Sequence, residues 1–310
     1  MKIMLIGGLG FIGKHLIRRL LNHDRTHELT VFDNSEARLR NLNFIKYNKL
    51  KVEVGDITDK DCIEEAVFKC RPEVIAHLAA LTGIGRCNEN PSLAFSVNVF
   101  GTYNVVEACK ELDTKLIFIS SREVYGDSKS NVTSEDDPLN PNNIYGLTKL
   151  LAENLVRWGA SKFNIEYTIL RLTNVYGPEG DEYGIHIMIK NALKDRKIQI
   201  FGKKQQMNLV YIEDVVDAIN HCLINPLSSK QTFNIGSNNS LPINEIVLKI
   251  IEILNLGIEI EYLPMRYGET STFRPDLSKS EEILGYNPKT DLFTGLKKTI
   301  DWYQNELKNR

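Results

Sequence analysis

The chain has 310 residues, 42% hydrophobic and 25% charged, the proportions of an ordinary globular protein with room for one large α/β domain or two coupled ones. A formal net charge of −2 offers no field to attract nucleic acid or an anionic membrane, so neither is expected as a partner and any anionic ligand must be held by local donors. Five cysteines, an odd number with no C-x-x-C pair, point to reduced thiols and away from a disulfide framework or a zinc site, and no metal is expected. No run reaches the about 18 apolar residues of a membrane helix. Glycines 7, 8, 10 and 13 interrupt the apolar start and no A-x-A-like cleavage site is present, so the expected location is the cytoplasm.

In chain order, Lys2–Ile6 reads as a strand, Phe11–Leu21 as a helix and Leu29–Phe32 as a strand. Lys51–Val54 follows as a strand, Asp61–Cys70 as a helix, Val74–Leu78 as a strand and Leu93–Glu111 as one long helix. Leu116–Ser120 is a strand, Asn143–Phe163 a second long helix, and Tyr167–Leu172 and Thr232–Ile235 complete the strands. This alternation predicts an α/β fold with a parallel sheet covered on both faces, and a ligand at the carboxyl ends of its strands. Asp127–Asn142 and Pro178–Gly184 read as loops. Helices are predicted at Ile185–Lys194, Ile212–Ile224, Ile243–Leu254 and Leu292–Leu307. The predicted organisation is a first domain over 1–176, with 209–236 returning to it, and a smaller interleaved α/β lobe at the C-terminal side from 177–208 and 237–310.

Gly7, Gly10 and Gly13 form a G-x-x-G-x-x-G run between the first strand and first helix, with Phe11 and Ile12 in its last turn. A helix N-terminus there offers free N–H groups and partial positive charge to a pyrophosphate, and glycine lets the backbone approach. Asp33 ends the next strand, followed by Asn34; its carboxylate is placed to accept both ribose hydroxyls and to repel a 2′-phosphate, which favours NAD over NADP. Arg38 and Arg40 leave a route to NADP, and Asp33 has an alternative role in starting the next turn. Asp56 and Ile57, at the end of the third strand, suit an adenine amino group and ring. Leu78, Ala79 and Ala80 leave space near the pyrophosphate and ribose, while His77 reads as a core histidine. Asn98 either bonds backbone near the site or lies on a helix surface.

Tyr145 and Lys149 stand four residues apart on a predicted helix and therefore share a face. A phenol with a pKa of about 10 is a poor base at neutral pH. A nearby ammonium and a positively charged nicotinamide ring favour phenolate. Ser121, at the end of the strand before, can hydrogen-bond the same substrate oxygen.

Together these residues resemble the extended short-chain dehydrogenase/reductase family, in its nucleotide-sugar epimerase and dehydratase branch. The likeness also includes Asn98-Val-Phe-Gly-Thr102, Ser120-Ser-Arg-Glu-Val-Tyr-Gly126, Arg171-Leu-Thr-Asn-Val-Tyr-Gly-Pro178 and Leu284-Gly-Tyr-Asn-Pro288, and covers nearly the whole chain. It implies a Rossmann-type doubly wound sheet binding NAD and a substrate-binding second lobe. It further implies that Ser121, Tyr145 and Lys149 match the catalytic trio, that Asn174 contacts the substrate and that Arg266 grips its diphosphate. Homodimers are implied as well, through a four-helix bundle of the helices near 93–111 and 143–163.

Two departures bear on the reaction. Gln206-Met207-Asn208 stands where the family commonly has a diphosphate-binding Arg, which leaves Arg266, Lys203 or Arg86 for that task. Thr82 and Arg86 belong to a loop that would face the sugar; Arg86 is equally readable as a solvated charge. Glu123 matches a Glu of the dehydratases and decarboxylases, but Arg122 replaces their usual Asp or Ser, and the two are alternatively a structural ion pair. The resulting expectation is an NAD-dependent UDP-hexose 4-epimerase acting through a 4-keto intermediate. The runner-up is a nucleotide-sugar 4,6-dehydratase or UDP-sugar-acid decarboxylase using Glu123, and a non-catalytic NAD sensor is a remote third.

Overall fold

The computed structural model describes residues 1–23, 27–35, 50–127, 130–180, 184–202, 205–270 and 272–308; Arg38, Arg40 and Lys203 lie outside them. The N-terminal part alternates β1 (Lys2–Ile6), α1 (Phe11–His23), β2 (Glu28–Asp33), β3 (Leu50–Val54), α2 (Lys60–Cys70) and β4 (Val74–His77). After the helical stretch from 84 to 108 come β5 (Lys115–Ser121), α6 (Ile144–Phe163) and β6 (Glu166–Leu172), and β10 (Gln231–Ile235) returns to the same sheet. The seven strands stand in the order β10-β6-β5-β4-β1-β2-β3, all parallel.

Why this sheet is buried on both faces is visible in β1. Ile3 and Leu5 point into one core cluster, with Leu16 and Ile17 of α1 and Val215 of α8 (Ile212–Ile224). Met4 and Ile6 point into the other, with Ile63 and Val67 of α2 and Val156 of α6. A continuous apolar strand is therefore required, as period-two alternation would leave polar groups in one core. Strand β1 has β2 on one side and β4 on the other, so the chain changes direction of travel across the sheet there, and a crevice opens above the carboxyl ends.

The predicted helix over 93–111 is divided. Its residues fall in α4 (Pro91–Phe95), a π-helical turn (Ser96–Gly101) and α5 (Thr102–Ala108), after a short α3 (Ile84–Glu89) that the pattern did not announce. The wide turn lets Asn98 reach back to the end of β4, where its Oδ1 accepts from Leu81 N at 2.7 Å and its Nδ2 donates to Leu81 O at 3.0 Å. The remaining elements include five short strands that were not predicted. Strands β7 (Asn174–Tyr176), β9 (Gln206–Tyr211) and β11 (Ser240–Pro242) form one small sheet, and β8 (Lys197–Phe201) and β12 (Glu259–Leu263) another. With them come α7 (Ile185–Asp195), α9 (Ile243–Leu254), α10 (Ser278–Leu284) and α11 (Leu292–Lys308). No helix among the described residues is long and apolar enough to cross a membrane, and all five cysteines are free thiols.

Candidate active site

A cleft of about 870 Å³ opens above the carboxyl ends of the central strands. One end is floored by Gly7, Gly10, Phe11, Ile12 and Gly13, so the first turn of α1 presents its backbone N–H groups to the cleft. Gly7 has φ +78°, and a Cβ on it would lie 2.5 Å from the backbone of Ala79; only glycine lets this loop pass the end of β4. Asp33 both lines the cleft and organises its rim: Oδ2 accepts from Leu9 N at 2.9 Å and Oδ1 from Ser35 N at 3.1 Å. Asn34 donates to Asp56 Oδ2 at 3.0 Å, and Thr58 donates to Asp56 Oδ1 through N and Oγ1, both at 2.8 Å. Burial pushes the Asp56 carboxyl up, but the bonds from Thr58 and Asn34 outweigh it and hold the group below its ordinary value. Ile57, Leu78, Ala79 and Ala80 complete this end. Asn98 does not line it; its amide is used on Leu81 and on Thr148 Oγ1 at 3.0 Å, which ties the end of β4 to α6 beside Lys149.

Ser121, Tyr145 and Lys149 come together at the middle of the cleft. Ser121 ends β5, and its Oγ accepts from Glu123 N at 3.2 Å. Helix α6 begins at Ile144 because Asn143 caps it, its Oδ1 accepting from Gly146 N at 2.8 Å. Burial pushes the Tyr145 phenol well above its ordinary value, the neighbouring Cys87 and Glu123 push the same way, and the hydrogen bond with Ser121 pulls it back. The expected depression by Lys149 is not found in this structure. The Lys149 ammonium lies 4.4 Å above the Phe118 ring centroid, and burial lowers it to about 8 against the pull of Glu153. Buried His77 is lowered to about 3 by burial and then by Lys149; its Nε2 pairs with Thr102 Oγ1 at 3.1 Å, as suits a neutral core histidine.

Glu153, one turn beyond Lys149, is wholly buried. Arg171 clasps it through Nε at 3.0 Å and Nη2 at 2.9 Å, Ser120 donates at 2.6 Å and Arg157 at 2.9 Å. This cluster joins α6 to β5 and β6 directly behind the trio.

The other end of the cleft is lined by Thr82, Arg86 and Asn174, as the sequence suggests, and by Thr173, Val175, His186, Met207 and Leu209, which it did not flag. His186 opens α7 with Nε2 3.1 Å from Gly177 O; the Gly177-Pro178 pair was the available signal. In the segment where the family commonly carries an Arg, Met207 gives an apolar wall and Asn208 is buried, its amide donating to Ser237 O at 2.8 Å. Arg266 is not part of the lining: it lies 3.5 Å over the Phe201 ring centroid with its side chain 56% exposed. Glu123 is outside the lining too, paired with Arg122 at 2.8 Å.

A parallel sheet with a glycine turn on a helix N-terminus, an acidic strand end and a Ser-Tyr-Lys set defines a nucleotide-cofactor enzyme. Residues 3–236 match the model of the NAD dependent epimerase/dehydratase family, and the chain belongs to it, within the extended short-chain dehydrogenases/reductases. A putative UDP-glucose 4-epimerase of Methanocaldococcus jannaschii is 33% identical over 98% of both chains. The Thermotoga maritima UDP-glucose 4-epimerase, solved with UDP-glucose, superposes with a TM-score of 0.92 at 29% identity over 99% of this chain and 100% of that one. A dTDP-glucose 4,6-dehydratase of Escherichia coli is 27% identical over 99% of this chain and 94% of that protein. The family's NAD fits the cleft: the side-chain-free cradle at Gly7 and Gly10 suits a pyrophosphate, and Asp33 and Asp56 suit ribose and adenine donors.

Proposed function

We propose that the protein is a UDP-hexose 4-epimerase. The observation that carries this reading is the placement of Ser121, Tyr145 and Lys149 in the cleft, with Glu123 held outside it. Bound along Gly7–Gly13, Asp33 and Asp56, NAD supplies the hydride chemistry. Tyr145 takes the O4 proton of the sugar and later returns it. Ser121 hydrogen-bonds that oxygen and fixes its approach. Lys149 would donate to the nicotinamide ribose from the same face of α6 that carries Tyr145. Thr82, Arg86 and Asn174 bind the substrate side, with Arg266 closing on the diphosphate from its loop.

In the same reading, residues 1–176 with 209–236 hold the cofactor, and 177–208 with 237–310 hold the nucleotide sugar, in the cytoplasm. A homodimer is supported by exposed Leu93, Phe100 and Trp158 on the two helical segments expected to pair. Size-exclusion mass measurement of Trp158→Glu tests it, with a monomer as the expected outcome.

The dehydratase reading draws on Glu123 and on the Escherichia coli relative, but elimination needs an acid for the departing hydroxyl, and a guanidinium is a poor one. Turnover of UDP-glucose in deuterium oxide, read by proton NMR, separates the reactions. Epimerisation leaves every carbon-bound hydrogen in place. Deuterium at C5 or C6 with a 6-deoxy-4-keto product overturns the proposal.

A further inference from the structure

Glu123 stands two residues beyond Ser121, is 6% exposed, and does not line the cleft, although its charge is felt at Tyr145. Both of its oxygens are engaged. Oε1 takes the Arg122 guanidinium at 2.8 Å, while Oε2 takes the Asn143 amide at 2.9 Å and the Thr270 hydroxyl at 3.1 Å. These donors come from three separate places: the turn after β5, the cap of the helix that carries Tyr145 and Lys149, and the loop that carries Arg266.

Asn143 is held with one orientation. Its Oδ1 must face Gly146 N to cap α6, and its Nδ2 then divides between Glu123 Oε2 and Gly268 O, at 2.9 Å each. Gly268 has φ +80°, and a Cβ there would lie 2.9 Å from that of Asn143, so the Arg266 loop presses on the cap itself. On its other side, the Glu123 backbone N–H occupies a lone pair of Ser121 Oγ at 3.2 Å. This contact orients the Ser121 hydroxyl, whose hydrogen bond is the influence that pulls the Tyr145 phenol down. Glu269 is the second carboxyl near this node, bonded by Gln205 Nε2 at 3.0 Å; burial raises it, Arg266, Gln205 and Arg122 oppose, and Glu123 adds to the rise.

We infer that Glu123 is a positioning residue: through Arg122, Asn143 and Thr270 it fixes the Ser121 turn, the cap of the Tyr145 helix and the Arg266 loop as one rigid node. A carboxylate used in this way cannot also exchange protons with a substrate carbon without breaking the cap it holds. The inference rests on the epimerase reading for its turnover measurements alone.

Thr270→Val tests it without changing any charge, and Thr270→Ser restores the hydroxyl. The expected result is that Thr270→Val lowers kcat for UDP-hexose by about tenfold, the worth of one hydrogen bond to a charged group, while KM stays within about twofold. Thr270→Ser should return to the parent rate. Glu123→Gln combined with Thr270→Val should be no slower than Glu123→Gln alone, because both act through one node. Independently of substrate, the phenolate difference spectrum of each NAD-saturated protein against its NAD-saturated Tyr145→Phe counterpart reads the surroundings of the base, the cofactor's positive charge bringing the phenol into a titratable range. Thr270→Val should shift that titration although no charge is lost, an effect that looser packing of the second lobe would not produce. Unchanged kcat and unchanged phenol titration in Thr270→Val refute the inference, as does deuterium uptake at C5 that vanishes in Glu123→Gln. If the parent protein turns over no UDP-hexose, the epimerase reading falls and the titration still decides this one.

Discussion

Replacing Glu153 by Gln should destabilise the protein far more than a loss of one surface charge would. Glu153 is wholly buried and Arg171 is 2% exposed, so neither can turn to water when its partner changes. The amide of Gln keeps one acceptor, but directs two N–H groups at the guanidinium that now binds the second oxygen at 2.9 Å. Arg171 retains Tyr125 Oη at 2.8 Å and Glu135 O at 3.0 Å, which solvate one nitrogen and leave the clasp unmatched. Breaking one side of such a buried pair costs about 3–5 kcal/mol. The Arg157 contact adds little, since its side chain is one-third exposed. Burial pushes the Glu153 carboxyl up, but Arg171, Ser120 and Arg157 hold it below its unfolded value. Its stabilisation is therefore present above the ordinary carboxylate range and is lost as pH falls through the folded value. Urea unfolding of NAD-free protein should show the full gap between parent and Glu153→Gln at neutral pH, closing on acidification. A gap under about 1 kcal/mol at neutral pH, or one that widens in acid, would refute this account of the buried cluster.

Tyr145→Phe should abolish turnover yet keep NAD bound, since the glycine turn, Asp33 and Asp56 are unchanged; near-parental turnover would remove Tyr145 as the base. Calorimetry should find NAD bound much more tightly than NADP because of the Asp33 carboxylate, and equal affinities would end that assignment. Lys149→Met should unfold at higher urea than the parent below pH 8 while losing activity, because burial lowers this ammonium to about 8 and so destabilises the folded chain by about 3 kcal/mol. A Lys with a lowered folded value weakens the fold at all pH below that value, and the deficit fades as pH rises toward its unfolded value, so the variant's advantage should shrink in alkali. An advantage that persists unchanged at high pH would mean that charge burial is not its cause.

The parallel sheet was legible because burial on both faces forces continuous apolar strands, and Lys2–Ile6 or Leu116–Ser120 have no other reading. The cofactor end was legible for a related reason. Asp33 ends a strand, and Gly7, Asp56 and Ala79 lie within two residues of one, so their place follows once the sheet is known. The substrate end was not. Met207, Leu209 and His186 reach the cleft through β9 and α7, whose approach depends on pairings among three-to-six-residue strands with weak local signals. The segment 93–111 reads as one long helix because its apolar period continues through Ser96–Gly101; the wide turn there goes with a tertiary contact, Asn98 to Leu81, that has no local signal. Glu123 illustrates a further limit. Its motif places it beside Ser121, but the 3₁₀ turn Arg122–Val124 decides which way it faces, and the residues that hold it lie 20 and 147 positions away.

The electrostatics of Tyr145 and Lys149 point in one direction. Every influence on the phenol except the Ser121 bond keeps its proton in place, and the nearby lysine spends its charge over Phe118 and toward Glu153. A Tyr-x-x-x-Lys helix therefore does not by itself make a base. The pull toward phenolate must come from positive charge bound in the cleft, and the protein's part is to hold the phenol dry enough for such a charge to count. Burial raises the phenol, but it also strengthens any cation placed beside it. Among the described residues, Ser121 is the one group that already favours the ionised form, and its hydroxyl is aimed by Glu123 N. The capped helix, the Ser121 turn and the Glu153 clasp hence serve one end: they keep two groups that water would readily normalise in fixed, dry positions, where a bound charge can act on them.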